Sequence, residues 1–277
     1  MRLLLVICMW MTIAITPVSA AAAFDHRHQA LTALLAKHVQ WTADGHASRV
    51  DYLGLEADRP ALNSYLQNLA VVSETDFDAW SQPQRMAFLI NAYNAWTLEL
   101  ILSGDPDLVS IKDLGSLFTS PWKQSIAPLL GRTRSLDDIE HGLLRGAPDF
   151  AEPRIHFAVN CASIGCPALR PEAYTGAELE AQLADQTARF LSDRSRNRVS
   201  AKGDTLQVSK LFDWYADDFT HAASALSPPI GFLANYAAML SDDLAAQQRV
   251  RAGELKVEHL DYDWTLNSAA AAAPASP

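Results

Sequence analysis

Cysteine is scarce in this sequence, with three residues in 277. Basic residues are short as well: 22 Lys+Arg stand against 32 Asp+Glu, a net charge of −10. That balance argues against nucleic acid as a partner and against electrostatic docking on anionic lipid. The one basic cluster, RSRNR from Arg194 to Arg198, is too short to form a patch and reads as a solvated helix end. There is no phosphate-binding glycine loop, no HExxH and no GxSxG, so three motif-based routes to chemistry are closed. Internal repeats of solenoid or propeller type are also missing. No Pro/Gly/Ser linker divides Phe24 to Trp264, and the economical reading is one domain.

What is present begins with an address. Arg2 is followed by the apolar run LLLVICMWMTIAIT and then PVSA, in which Val18-Ser19-Ala20 has the small residues a signal peptidase requires. Residues 1–20 are therefore expected to be a cleaved signal peptide, with the mature protein periplasmic or secreted. The run is short for a bilayer span of roughly 20 residues, and Pro17 interrupts its end, so no membrane association is expected after cleavage. Cleavage removes Arg2 and Cys8, which takes the charge from −10 to −11 and leaves two cysteines, Cys161 and Cys166. Residues 21–267 form the expected globular domain. The Ala-rich segment 268–277 has nothing to bury and is expected to be disordered.

With 49% hydrophobic and 19% charged residues, the composition is that of an ordinary globular protein. Helical spacing appears in His28–Val39 and Ala61–Val71, and Ser81 can cap a long helix from Pro83 to Leu102. Ser135–Gly146 carries a capping-box signature with a closing glycine. Further helices are expected from Thr175 to Leu191 and from Pro228–Pro229 through Ala238. Three short strands are expected at Arg154–Asn160, Leu206–Val208 and Leu255–Val257. The pattern predicts a mainly helical α+β single domain with a small β-sheet.

Gln84–Leu102 is apolar nearly all round, which marks a core helix. Asn91 and Asn94 share one of its faces, and each buried amide needs a partner. They either tie neighbouring loops to the core or orient a catalytic group. In a strand over Arg154–Asn160, His156 would face away from Cys161, about 16 Å along the chain. His141 is then the better-placed base for a thiol in the CASIGC loop. On its helix it points away from the stripe Leu136, Ile139 and Leu143, with Glu140 at the stripe's edge. Backbone N–H groups of the ASIG turn are candidate oxyanion donors. The alternative is a Cys161–Cys166 disulfide, which would contribute on the order of 2 kcal/mol. No metal site or cofactor is expected, because the paired spacings of structural zinc sites are absent. The aromatic groups in WYADDF and YDW read as packing anchors.

Several segments resemble, in order, the domain of unknown function 547 family: FLINAYNAWTLELIL, SIKDLGSLF, SLDDIEHGLLR, RIHFAVNCASIGCPALRPEAYTG, VSKLFDWYADDF and YDWTLN. The resemblance is densest over residues 77–191 and implies an exported bacterial member. It implies positions rather than a reaction: Asn91, Tyr93, Asn94, Glu140, His141, His156, Cys161, Cys166 and Pro167 all fall within its motifs. A Cys, a His and an Asn or acidic residue in one α+β domain is similar, by analogy alone, to papain-like and transglutaminase-like thiol enzymes. Two functional expectations follow. One is a thiol-dependent hydrolase or acyltransferase acting on an amide or ester of a small-molecule or peptide-like substrate. In it Cys161 is the nucleophile, with Cys166 the reserve candidate, His141 the base, and Glu140, Asn91 or Asn94 the orienting group. The other is a non-catalytic periplasmic binding or scaffold domain with a Cys161–Cys166 disulfide.

Overall fold

In the computed structural model the described residues are 24–116, 119–146, 150–220 and 226–269. The expected signal peptide, and all but the first two residues of the Ala-rich tail, lie outside them. The helix Gln82–Leu102 is the axis of the fold. Ser81 and Gln84 close a capping box at its start, and Pro83 sits in its first turn, where a missing N–H costs nothing. Every residue from Met86 to Leu98 is buried, so the helix is surrounded by protein as its composition requires. The helix Arg59–Ala70 packs against it, and Gln29–His38 packs on Arg59–Ala70 in turn, with one apolar face each. No described helix is long and apolar enough to cross a membrane.

The mainly helical α+β reading holds. The sheets are small: two antiparallel hairpins, Val39–Trp41 with Ser48–Val50 and Ala127–Leu129 with Arg132–Arg134, and one three-stranded sheet. In that sheet Thr205–Val208 runs parallel to Lys256–His259, with Leu206 opposite Val257, and antiparallel to Arg198–Val199. It packs beside a second, smaller core around Phe157, Phe190, Phe212, Phe219 and Phe232. The helix expected from Thr175 starts at Leu179, after a segment whose Tyr174 backbone is bonded on both its N–H and C=O by Asn91. The helix expected after Pro229 is two short ones, Ile230–Asn235 and Ala237–Leu240.

Arg154–Asn160 is not a strand. Pro153–Phe157 winds as a 3-10 turn, and Ile155 through Asn160 are buried without alternation. The backbone groups a sheet would have paired are taken by side-chain amides. Asn94 donates from Nδ2 to Ala158 O at 3.0 Å and accepts from Asn160 N at 2.8 Å. Gln186 Nε2 donates to Phe157 O at 2.9 Å and to Ala168 O at 2.7 Å. A segment fixed from both sides by amides needs no strand neighbour to satisfy its buried polar groups.

Leu136–Gly146 also departs from its expected form. Ser135 and Asp138 exchange the predicted capping bonds, but Asp138–Leu144 is wound as a π-helix, with Arg145 N donating to Glu140 O at 2.8 Å. The wider turn moves the buried stripe, so Leu144 is buried where Leu143 was expected, and Glu140 is buried with it. Such turns recur at functional sites. Replacing Asn94 by alanine strands two buried backbone groups; the expected loss of stability is about 2–4 kcal/mol, read from the urea midpoint.

Candidate functional site

Cys161 opens a loop, residues 161–166, whose shape is set by hydrogen bonds on both sides. Asn160 Oδ1 accepts from Ala162 N at 2.9 Å, and Asn160 Nδ2 donates to Pro167 O at 2.7 Å. Ala162, fully buried, is held at φ 60°, a left-handed conformation that costs a side chain about 1–2 kcal/mol. From the far side the segment 263–267 straps the loop: Ile164 N donates to Thr265 O, Gly165 N to Asp263 O, and Asn267 N to Ala162 O. Gly165 allows this approach, since a Cβ there would lie 3.0 Å from both Asp263 N and O. The expected oxyanion donors of the ASIG turn are thus largely committed: Ala162, Ile164 and Gly165 already give their N–H groups to protein oxygens.

Both thiols are free and adjacent. The Cys161 N–H donates to Cys166 Sγ at 3.0 Å, and Cys161 Sγ lies 3.2 Å from Ser163 Oγ and 3.1 Å from the Tyr262 hydroxyl. The neighbouring Cys166 thiol, with the Ser163 and Tyr262 hydroxyls, draws the Cys161 thiol below the ordinary range against the opposing effect of burial. Burial pushes Cys166 the other way, well above it. Burial likewise raises Tyr262, which therefore stays protonated and able to donate.

Cys161 faces a cavity of about 250 Å³ that also takes in Cys166, Glu140, His141, His156 and Tyr93. The structure thus brings together three of the expected site residues, Cys161, His141 and Glu140. It does not bring Asn91 and Asn94. Asn91 exchanges hydrogen bonds with the Tyr174 backbone at 2.7 and 2.9 Å, Asn94 clamps residues 158–160, and neither lines the cavity. Both amides are architectural.

The two histidines differ in which nitrogen is spoken for. Arg145 Nη1 lies 2.9 Å from His141 Nδ1, and a guanidinium only donates, so Nδ1 accepts and its lone pair is occupied. The proton of the neutral ring then sits on Nε2, 3.8 Å from Asp137 Oδ1. His156 is the reverse. Its Nε2 lies 2.7 Å from Asp218 Oδ2, a carboxylate that accepts, which leaves Nδ1 with a free lone pair. That Nδ1 is buried and has no hydrogen-bond partner. The ring is fixed by stacking on Tyr215 at 4.0 Å.

Asp218 also takes two bonds from Arg145. Burial alone would raise its pKa, but the bonds from His156 and Arg145 hold it far below the usual carboxylate range. Glu140 sits against Tyr215, and burial followed by the Glu140 charge pushes the Tyr215 hydroxyl up.

Sequence reasoning set His156 aside because a strand would have turned it from Cys161; without the strand both line one cavity. Asp218 was missed altogether. It lies 62 residues from His156, inside WYADDF, and nothing local separates it from Asp217. The supposed packing anchors Trp214, Tyr215, Tyr262 and Trp264 line the cavity, as does Trp122. Among the described residues, no group of three or more His, Cys, Asp or Glu could hold a metal ion. A larger groove of about 590 Å³, bordered by Phe24, His28, Tyr65 and Trp80, contains no thiol.

Since Asp218 has a depressed pKa, its stabilisation is complete above the ordinary carboxylate pKa and is lost as pH falls toward the folded value. Asp218→Asn is expected to lower stability at neutral pH and to flatten the stability curve between about pH 5 and 2, measured by denaturant unfolding at each pH.

Residues 77–191 match the family model described as protein of unknown function, DUF547. No curated protein and no solved structure matches the chain. The matched span holds both cysteines, both cavity histidines and Glu140, whereas Asp218 and the 214, 262 and 264 aromatics lie beyond it.

Proposed function

We propose that this chain, which carries a DUF547 family domain over residues 77–191, is an exported thiol-dependent hydrolase or acyltransferase acting on an amide or ester. The observation that carries the reading is a single cavity holding a Cys161 thiol drawn below its ordinary range and a His156 ring whose Nδ1 is unpaired while Asp218 fixes its Nε2. A nucleophile, a base with one free nitrogen and a carboxylate that orients it are the parts acyl transfer needs. Export is supported by the apolar N-terminal run and Val18-Ser19-Ala20.

Cys161 gives its proton to His156 and its Sγ attacks the carbonyl carbon. The C–S bond forms, charge collects on the carbonyl oxygen, and the Tyr262 and Tyr93 hydroxyls, which burial keeps protonated, are the donors available to it. The C–N or C–O bond then breaks as His156 returns the proton to the leaving group. Water or an acceptor nucleophile, deprotonated by the same ring, cleaves the thioester and frees Cys161. His141 takes no part as a base, because Arg145 occupies its Nδ1. Its exposed ring forms part of the cavity wall.

The non-catalytic reading keeps one observation in its favour: the two thiols are neighbours, with the Cys161 N–H 3.0 Å from Cys166 Sγ. Alkylation followed by mass spectrometry separates the two. The mature protein is expected to show two titratable thiols, with Cys161 modified at least about tenfold faster than Cys166 at pH 7. The Asp218→Asn and His156→Ala variants are expected to slow Cys161 modification. A native mass two hydrogens light with no titratable thiol, or equal rates at the two cysteines, contradicts a catalytic Cys161.

A further inference from the structure

The cavity that holds Cys161 has walls of two kinds. One is aromatic: Trp214 stacks on Trp264 at 5.7 Å, Tyr262 lies 4.9 Å from Trp214 and 4.6 Å from Trp264, and Trp122 meets Trp264 edge-on at 5.6 Å. The other is acidic. Asp137 and Glu140 both line the cavity, and among the described residues no lysine or arginine does. The nearby cations are engaged or stand back, although Lys112 already lies over the Trp264 ring. Arg145 is bound to Asp218 and lies over Tyr215; Lys123 neighbours Asp137 without lining the cavity. Glu140 is 5% exposed, and burial pushes the Asp137 carboxyl above its usual range. Asp137 meets the His141 ring at 3.8 Å and Glu140 meets the Tyr215 hydroxyl, but no lysine or arginine of the lining gives either carboxylate a full counter-charge. An apolar or anionic ligand supplies none.

The aromatic wall already shows what it attracts. Lys112 Nζ sits 4.8 Å from the centre of the Trp264 ring, an ammonium on the face of the same indole. We propose that this site takes acyl substrates bearing an alkylammonium group, seated against Trp214, Trp264 and Tyr262 with its charge toward Asp137 and Glu140. The inference rests on Cys161 being the nucleophile, and it makes Asp137 and Trp264 specificity-determining residues.

Three methanethiosulfonate reagents test it on the mature protein without a known substrate: methyl (neutral), trimethylammonioethyl (cationic) and sulfonatoethyl (anionic). Each transfers RS– to the Cys161 thiolate and releases methanesulfinate, so a mixed disulfide forms and no other reactant is needed. Rates at Cys161, followed by peptide mass mapping, are divided by those of a small neutral thiol. The cationic-to-neutral ratio then cancels the thiolate fraction. It is expected to be about tenfold in the wild type, with the anionic reagent disfavoured. Asp137→Asn and Trp264→Leu are each expected to reduce the ratio severalfold. A wild-type ratio at or below one, or a ratio that neither substitution changes, overturns the inference while leaving a reactive Cys161 intact. If no reagent modifies Cys161 in the folded protein, the nucleophile reading fails and this inference falls with it.

Discussion

The amide of Asn94 sets the geometry on which the rest of the structure depends. It holds Ala158 O and Asn160 N at once, from the middle of a helix buried throughout Met86–Leu98. With Gln186 gripping Phe157 O and Ala168 O from the opposite side, the chain crosses the interior without sheet neighbours. The crossing fixes His156 at one end and Cys161 at the other. The position of both functional groups therefore traces to side-chain amides, which are directional and tolerate little displacement.

A second constraint is the choice of nitrogen in each imidazole. A guanidinium against one ring and a carboxylate against the other give the two histidines opposite tautomers. Two residues of one kind in one cavity thus have different chemistry available, without any difference in their distance from the thiol being invoked. Arg145 is the common element, since it touches both His141 and Asp218.

Much of the fold was legible in local sequence. The capping residues Ser81 and Ser135, the enclosed Gln82–Leu102 helix and the strands at 205–208 and 256–259 announce themselves through short-range pattern. What failed was the alternation in RIHFAVN, because period two carries meaning only when one face is wet, and here Ile155 to Asn160 are all buried. That single misreading is also why the sequence pairs His141 rather than His156 with the thiol. Cys161, Glu140 and His141 were found by residue type and do share a cavity. Asp218 and the indoles of 214 and 264 could not be found so, because their role is created by contacts across many tens of residues. The two three-residue hairpins were missed because so short a strand has no period to detect.

The strap over the CASIGC loop has a temporal consequence. Tyr262, which contacts the Cys161 sulfur, is 101 residues further along the chain, and Asp263, Thr265 and Asn267 hold the loop in shape. Until residues 262–267 have been synthesised, Cys161 lacks the Tyr262 contact and its loop lacks the strap. Its special environment arrives with the last stretch of the domain to take its place.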